Sequence, residues 1–145
     1  MDYNMKLANQ VCFSAYNVSR LFAQFYEKEL KSFGLTYSQY LVLLSLWEEI
    51  LKHYIQLVIN WNLSSNTLTP LLKRLEQSGW VTRQKSDQDK RQLIVSLTQK
   101  GKDQKQPIYD AISRCVSEDM NLDLYKQTKD IMDQLEATLR KQLNK

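Results

Sequence analysis

Gly34, Pro70, Gly79, Gly101 and Pro107 are the only glycines and prolines in this chain of 145 residues, and so few breaking points predict a helix-dominated fold. The apolar spacing agrees. Leu7, Val11, Ala15, Val18, Phe22, Phe25 and Leu30 recur at three- and four-residue steps, which predicts a helix from about Lys6 to Phe33 with Gly34 as its stop. Thr36 or Ser38 is placed to cap a second helix running through Leu46, with Tyr40, Leu41, Leu44 and Trp47 on its buried side. Ser64 and Ser65 are cap candidates for a third helix, whose stripe of Leu68, Leu71, Leu72 and Leu75 ends at Gly79. Pro70 suits that helix only if it starts near Ser65 or Asn66, because a proline deep inside would cost a backbone hydrogen bond.

After Gly79 the period changes from helical to alternating. "WVTRQKS" and "LIVSLT" flank the polar stretch "DQDKRQ", the pattern of a β-hairpin with a charged tip. From Thr98 the spacing is helical again, with breaks expected near Pro107 and between Met120 and Leu122. The last helix carries Ile131, Leu135, Leu139 and Leu143 at four-residue steps. A chain of this length can bury a core without disulfides, alone or as a symmetric oligomer.

Several classes are disfavoured. No early stretch has the order of a signal peptide, and no apolar run reaches the roughly 18 residues of a membrane span, so a cytoplasmic protein is expected, with no membrane partner. Cys12 and Cys115 lie far apart without metal-ligand spacing, and the chain has one histidine; neither a metal nor another cofactor is expected.

The net charge of +4 is unevenly distributed. Between Ser64 and Lys105 there are nine Lys or Arg against four acids, an excess of five, and the remainder of the chain carries −1. Such a concentration of positive charge suits a phosphate backbone through counterion release, although solvated basic faces are also common. Helix, turn, polar-faced helix and basic ribbon follow one another in the order of a winged helix-turn-helix. A helix of this kind enters the major groove while the hairpin reaches the adjacent minor groove. Ser64, Ser65, Asn66, Thr67 and Thr69 would reach phosphates or base edges, with Lys73 and Arg74 a turn further on. Arg83 and Lys85 lie on the ribbon, and at its tip Arg91 would enter the minor groove with Asp89 holding its guanidinium. Each feature taken alone also fits a helix cap or a solvated turn; the ordered set points to double-stranded DNA.

The segments "LTYSQYLVLLSLWE", "SSNTLTPLLKRLEQSGWVTR" and "DKRQLIVSLTQKG" resemble, in the same order, those of the MarR family of bacterial repressors, and more closely its organic-hydroperoxide-sensing branch, the OhrR type. "NQVCFSAYNVSR" is similar to that branch's sensor segment. The resemblance implies a mainly α fold with a small β-hairpin wing: a winged helix-turn-helix over residues 35–103 and dimerisation helices over 1–34 and 104–145, forming one domain. It implies an obligate homodimer on a palindromic operator, with the recognition helix at Ser64 to Gly79 and the wing's Asp-x-Arg at Asp89 and Arg91. It implies no enzyme activity.

Cys12 and Tyr16 are four residues apart and share a helix face. Tyr26 lies fourteen residues from Cys12, an angular offset of roughly 40° but about 21 Å along a helix axis. It cannot reach that sulfur within one straight helix, whereas an antiparallel copy from a second subunit could bring Tyr26, and Tyr16, against it. The thiolate is the form that attacks peroxide. Phenolic hydroxyls stabilise thiolate and sulfenate by donating hydrogen bonds, and the positive end of a helix favours the anion. From the residues alone, Cys12 also fits a small buried hydrophobe and the tyrosines fit core. The resemblance implies that Cys12 is the peroxide-sensing cysteine, with Tyr16 and Tyr26 as partners from the opposite subunit. Cys115 lies near the place where some relatives carry a second cysteine that forms an intersubunit disulfide with the oxidised sensor, while others use a small cellular thiol.

Residues 50–62, "ILKHYIQLVINWN", have no clean period and depart from the amphipathic, glycine-containing helix that the resemblance implies there. One choice of codons for this stretch, read with one extra base in front, gives Asn-Pro-Gln-Thr-Leu-His-Ser-Ile-Gly-Asn-Gln-Leu-Glu, which has the expected loop, spacing and glycine. A compensated pair of single-base shifts bounding the segment is therefore expected, and an intact mass or the nucleotide sequence decides it. As written, Ile50, Ile55, Val58 and Trp61 need burial or form an apolar patch. The leading expectation for function is a repressor that leaves its operator when organic hydroperoxide oxidises Cys12. The alternative is a MarR-type regulator released by a small aromatic ligand, and a third class, a thiol peroxidase, rests on one cysteine alone.

Overall fold

In the computed structural model, which describes residues 5–49, 51–53, 65–88 and 92–144, the first helical stretch is interrupted. Leu7–Asn9 form a single 3-10 turn, Gln10 is extended (φ −88°, ψ 127°), and α1 runs over Val11–Leu30. The continuous helix expected from Lys6 is corrected accordingly, and Cys12 falls in the first turn of α1. A 3-10 turn, Lys31–Phe33, leads into Gly34, which ends the pattern as expected.

Thr36, rather than Ser38, caps α2 (Tyr37–Glu48): its Oγ1 accepts from the Gln39 backbone N–H while the Gln39 side chain accepts from the Thr36 N–H. This reciprocal arrangement satisfies two otherwise orphaned donors. The buried side of α2 comprises Tyr40, Val42, Leu43, Leu46 and Trp47, with Leu41 and Leu44 only half-buried. The expected face is thus rotated, because α2 is apolar almost all round and spacing cannot select one side.

Helix α3 (Ser65–Gln77) starts where Pro70 required. Pro70 is its sixth residue and forgoes one backbone hydrogen bond. Leu68, Leu71, Leu72 and Leu75 are all buried, each full burial stabilising by about 1.5–3 kcal/mol. Gly79 has φ 84°, a left-handed conformation that a Cβ would penalise.

Strands β2 (Val81–Lys85) and β3 (Leu93–Leu97) form the expected antiparallel hairpin, with Arg83 opposite Val95. The sheet has a third strand, β1 (Leu51–His53), which joins antiparallel to β3 with Leu51 opposite Ser96, giving the order β1-β3-β2. The hairpin stands as expected, and β1 is an addition to it that the sequence did not reveal, because a strand of three residues is too short to show alternation. The remainder of residues 50–62, with Ile50, Ile55, Val58 and Trp61, lies outside the described residues.

The base of the sheet is held by a compact set of polar contacts. Thr98 caps α4 (Gln99–Asp103) by accepting from the Gly101 N–H, and its hydroxyl also lies within hydrogen-bond distance of the Gly79 and Trp80 carbonyl oxygens. The buried Trp47 indole donates to the Gly101 carbonyl oxygen at 2.9 Å, tying α2 to α4. A Cβ on Gly101 would stand 2.5 Å from the Trp80 carbonyl oxygen, so only glycine fits. Lys100 Nζ sits 4.7 Å from the Trp80 ring centroid and donates to the Ser78 carbonyl oxygen.

The break expected near Pro107 falls at Gln104, because Pro107 is accommodated in the first turn of α5 (Lys105–Asp119). Asn121 caps the last helix, α6 (Leu122–Leu143), by accepting from the Leu124 N–H. Internal contacts divide the chain into two units, Met1–Ile108 and Tyr109–Lys145. In the second, no residue of α6 is buried, and Leu122, Leu124, Ile131, Leu139 and Leu143 are exposed. Among the described residues, no helix is long and apolar enough to cross a membrane.

Candidate nucleic-acid interface and thiol site

The leucine stripe that packs α3 against α2 and β2 leaves the opposite side of the helix to solvent. Asn66, Thr67, Thr69, Lys73 and Arg74 are all exposed there, so the structure assembles five of the expected DNA-facing residues on one element. Ser65 opens the helix. Lys85 is exposed at the far end of β2, and the turn beyond it is fastened by Ser86, which is buried, donates its N–H to the Gln92 carbonyl oxygen and accepts from the Gln88 N–H. Ser64, Asp89 and Arg91 lie outside the described residues.

Arg83 differs from the other cations. Its Nε and Nη2 donate to Glu76 Oε1 at 3.3 and 3.0 Å, and its backbone N–H donates to Glu76 Oε2 at 3.1 Å. The hydrogen bond from the Arg83 side chain is the main reason the Glu76 carboxyl sits below the usual glutamate range. The charges of Arg83 and Lys73 and the Arg83 N–H act in the same sense, against a partial loss of hydration. The expectation of Arg83 as a DNA-facing residue overlooked this pairing, because Glu76 and Arg83 meet across the turn at Gly79 and share no periodic spacing.

The thiol region is built on α1. Cys12 and Tyr16 are both exposed, one turn apart on the same side. Arg20, a further turn along, donates from Nη1 to the Tyr16 hydroxyl oxygen at 3.0 Å; the i, i+4 spacing could have identified it. Tyr26 is buried in an aromatic cluster, with ring centroids 5.4 Å from Phe25, 5.8 Å from Tyr37 and 6.0 Å from Tyr40. Tyr37, which the sequence reading did not single out, stacks on Tyr26 with an interplanar angle of 22°. A cleft of about 500 Å³ lined by Ala23, Glu27, Lys31, Leu35 and Tyr37 opens beside this cluster. Cys115 is half-buried on α5. Among the described residues, no group of His, Cys, Asp and Glu is arranged to hold a metal ion.

Comparison with known proteins places this architecture. The family model described as "Transcriptional regulator SarA/Rot" matches residues 24–108. The organic hydroperoxide resistance transcriptional regulator of Bacillus subtilis (strain 168) is 38% identical over 94% of this chain and 88% of its own length. Among solved structures, reduced AbfR bound to DNA is 57% identical, covers 94% of this chain and 93% of its own, and superposes with a TM-score of 0.82; AbfR is from Staphylococcus epidermidis. Disulfide-formed AbfR, also 57% identical and covering 97% of this chain and 94% of its own, superposes at 0.65. The chain belongs to the SarA/Rot family of transcriptional regulators, DNA-binding winged-helix proteins of the MarR type.

Proposed function

We propose that the protein represses transcription as a homodimer on a palindromic operator and releases it when an organic hydroperoxide oxidises Cys12. The observation that carries this reading is the exposed pair Cys12 and Tyr16 in the opening turns of α1, with the Tyr16 oxygen engaged by Arg20. Because Arg20 donates to that oxygen, the phenolic proton remains to be donated to a sulfur anion. The Cys12 thiolate attacks the terminal oxygen of the hydroperoxide and breaks the O–O bond, giving the sulfenic acid and an alkoxide, which takes a proton from water to leave as the alcohol. Cys115 then displaces the hydroxyl of the sulfenic acid as water, forming a disulfide. Tyr16 and Tyr26 of the opposite subunit are the hydroxyl donors to the Cys12 sulfur in this reading. The superpositions on AbfR support a change of shape on disulfide formation, since at equal identity the disulfide form departs further from this chain than the reduced, DNA-bound form, while overoxidised AbfR bound to DNA superposes at 0.80.

Ser64, Ser65, Asn66, Thr67, Thr69, Lys73, Arg74 and Lys85 contact the operator, and Asp89 holds Arg91 in the minor groove. The protein acts in the cytoplasm, where operator and inducer meet. The test is fluorescence anisotropy on the duplex that the reduced wild type selects from a randomised pool. Cumene hydroperoxide releases the wild type and leaves Cys12→Ser bound; release of Cys12→Ser by the peroxide would defeat the proposal. The cleft beside Tyr37 favours a second reading, release by a small aromatic ligand, which would show as dissociation in the presence of dithiothreitol and absence of peroxide.

A further inference from the structure

We infer that Glu76 is a positioning residue for DNA recognition: through Arg83 it acts as a strut that sets the angle of the wing on the recognition helix. Glu76 stands in the last turn of α3, where a carboxylate meets the negative end of the helix dipole and is disfavoured. Its carboxylate is nevertheless ionised more readily than usual, and both its oxygens are engaged by one residue of β2. The Arg83 side chain retains 21% of its accessibility and that of Glu76 36%. A pair this exposed contributes little to stability, so its geometry, two side-chain bonds and one backbone bond, is the informative feature. The backbone bond fixes the strand and the guanidinium fixes the side chain.

The location fits a strut. The base of the wing is pinned where Thr98 meets Gly79 and Trp80, and Arg83 is the central residue of β2, two residues from Val81 and two from Lys85. Its side chain lies on the same face of the sheet as buried Val81 and turns toward α3. Glu76 is ten residues from Asn66, about 15 Å along the helix, away from the end expected to face the bases. A hairpin held at its base alone can pivot; one also held at its midpoint presents its tip at a fixed angle to the groove. Recognition helix and wing then approach DNA as one rigid piece.

The sign of one substitution separates this role from electrostatics. Removing an acid from a DNA-binding surface strengthens binding by charge alone, whereas removing the strut weakens it. Salt-dependent anisotropy on the reduced protein, with the selected duplex as probe, provides the test. We expect Glu76→Gln to weaken binding roughly tenfold, Arg83→Gln and Arg83→Lys to do the same, and the double variant Glu76→Gln/Arg83→Gln to be no weaker than either single change. The slope of log affinity against log salt should stay at the wild-type value, since no phosphate contact is lost. Far-UV circular dichroism and urea midpoints confirm that each variant is folded at the assay temperature; if Glu76→Gln is not, Arg83→Lys decides. Wild-type or tighter binding by Glu76→Gln overturns the inference. So does wild-type binding by Arg83→Lys together with a slope reduced by about 0.9 in Arg83→Gln, which would make Arg83 a phosphate contact. The assay contains no peroxide, so its outcome is independent of the role of Cys12.

Discussion

Leu43, Leu46, Leu72, Leu75 and Trp80, all within residues 37–103, are buried by the chain's own atoms, whereas Leu7, Val11 and Leu21 near the start and Leu122, Leu124, Ile131 and Leu139 of α6 are exposed. The first group explains itself. Trp47 hydrogen-bonds Gly101, Thr98 caps α4 at the base of the wing, and the leucine stripe of α3 completes a core. The second group consists of large apolar residues, near the start of the chain and separately along α6, that no described residue covers, and exposed apolar residues of this size mark an interface. The helix-turn-helix part carries its own core and the positive charge, while the terminal helices fit association with a second copy, which the proposed sensor also requires.

That contrast can be broken at either end. The largest effect is expected in the self-sufficient part: Trp80→Ala removes a side chain 2% exposed and should cost about 3–5 kcal/mol, read as a lower urea midpoint. A change within about 1 kcal/mol would mean that the hub at the base of the wing is not the core described here. Next comes the exposed helix. Ile131→Asp, at a position 63% exposed, should cost the single chain little yet weaken self-association roughly a hundredfold in sedimentation, because it puts a charge into an apolar contact. Unchanged self-association would place the interface elsewhere.

The smallest effect concerns pH. Glu76 has its carboxyl held down in the folded protein, so the stabilisation from Arg83 is fully present above the ordinary glutamate range. It is lost as pH falls through the depressed folded value. The slope of urea midpoint against pH below about 4.5 should therefore be shallower in Glu76→Gln than in the wild type. Equal slopes would detach the ion pair from the titration.

Helix α3 was legible because four leucines at helical spacing stand between Ser65 and Gly79, so local and tertiary signals coincide. The start of α1 was not: Gln10 is an ordinary helix residue, and its break is visible only in backbone angles. The face of α2 was hidden by an excess of apolar residues, which left Leu41 and Leu44 half-exposed while Val42 and Leu43 went inside. At the site, Asn66, Thr67, Thr69, Lys73 and Arg74 could be placed on one helix from spacing alone. Glu76 with Arg83, and Tyr37 on Tyr26, could not, since each pair joins two elements across a turn and exists only after folding.

Sedimentation equilibrium of the reduced protein at micromolar concentration tests the central claim, that the exposed apolar residues of the terminal helices belong against a second copy. The account predicts a single species of twice the 17.2 kDa chain mass. A species of 17.2 kDa throughout that concentration range would contradict it.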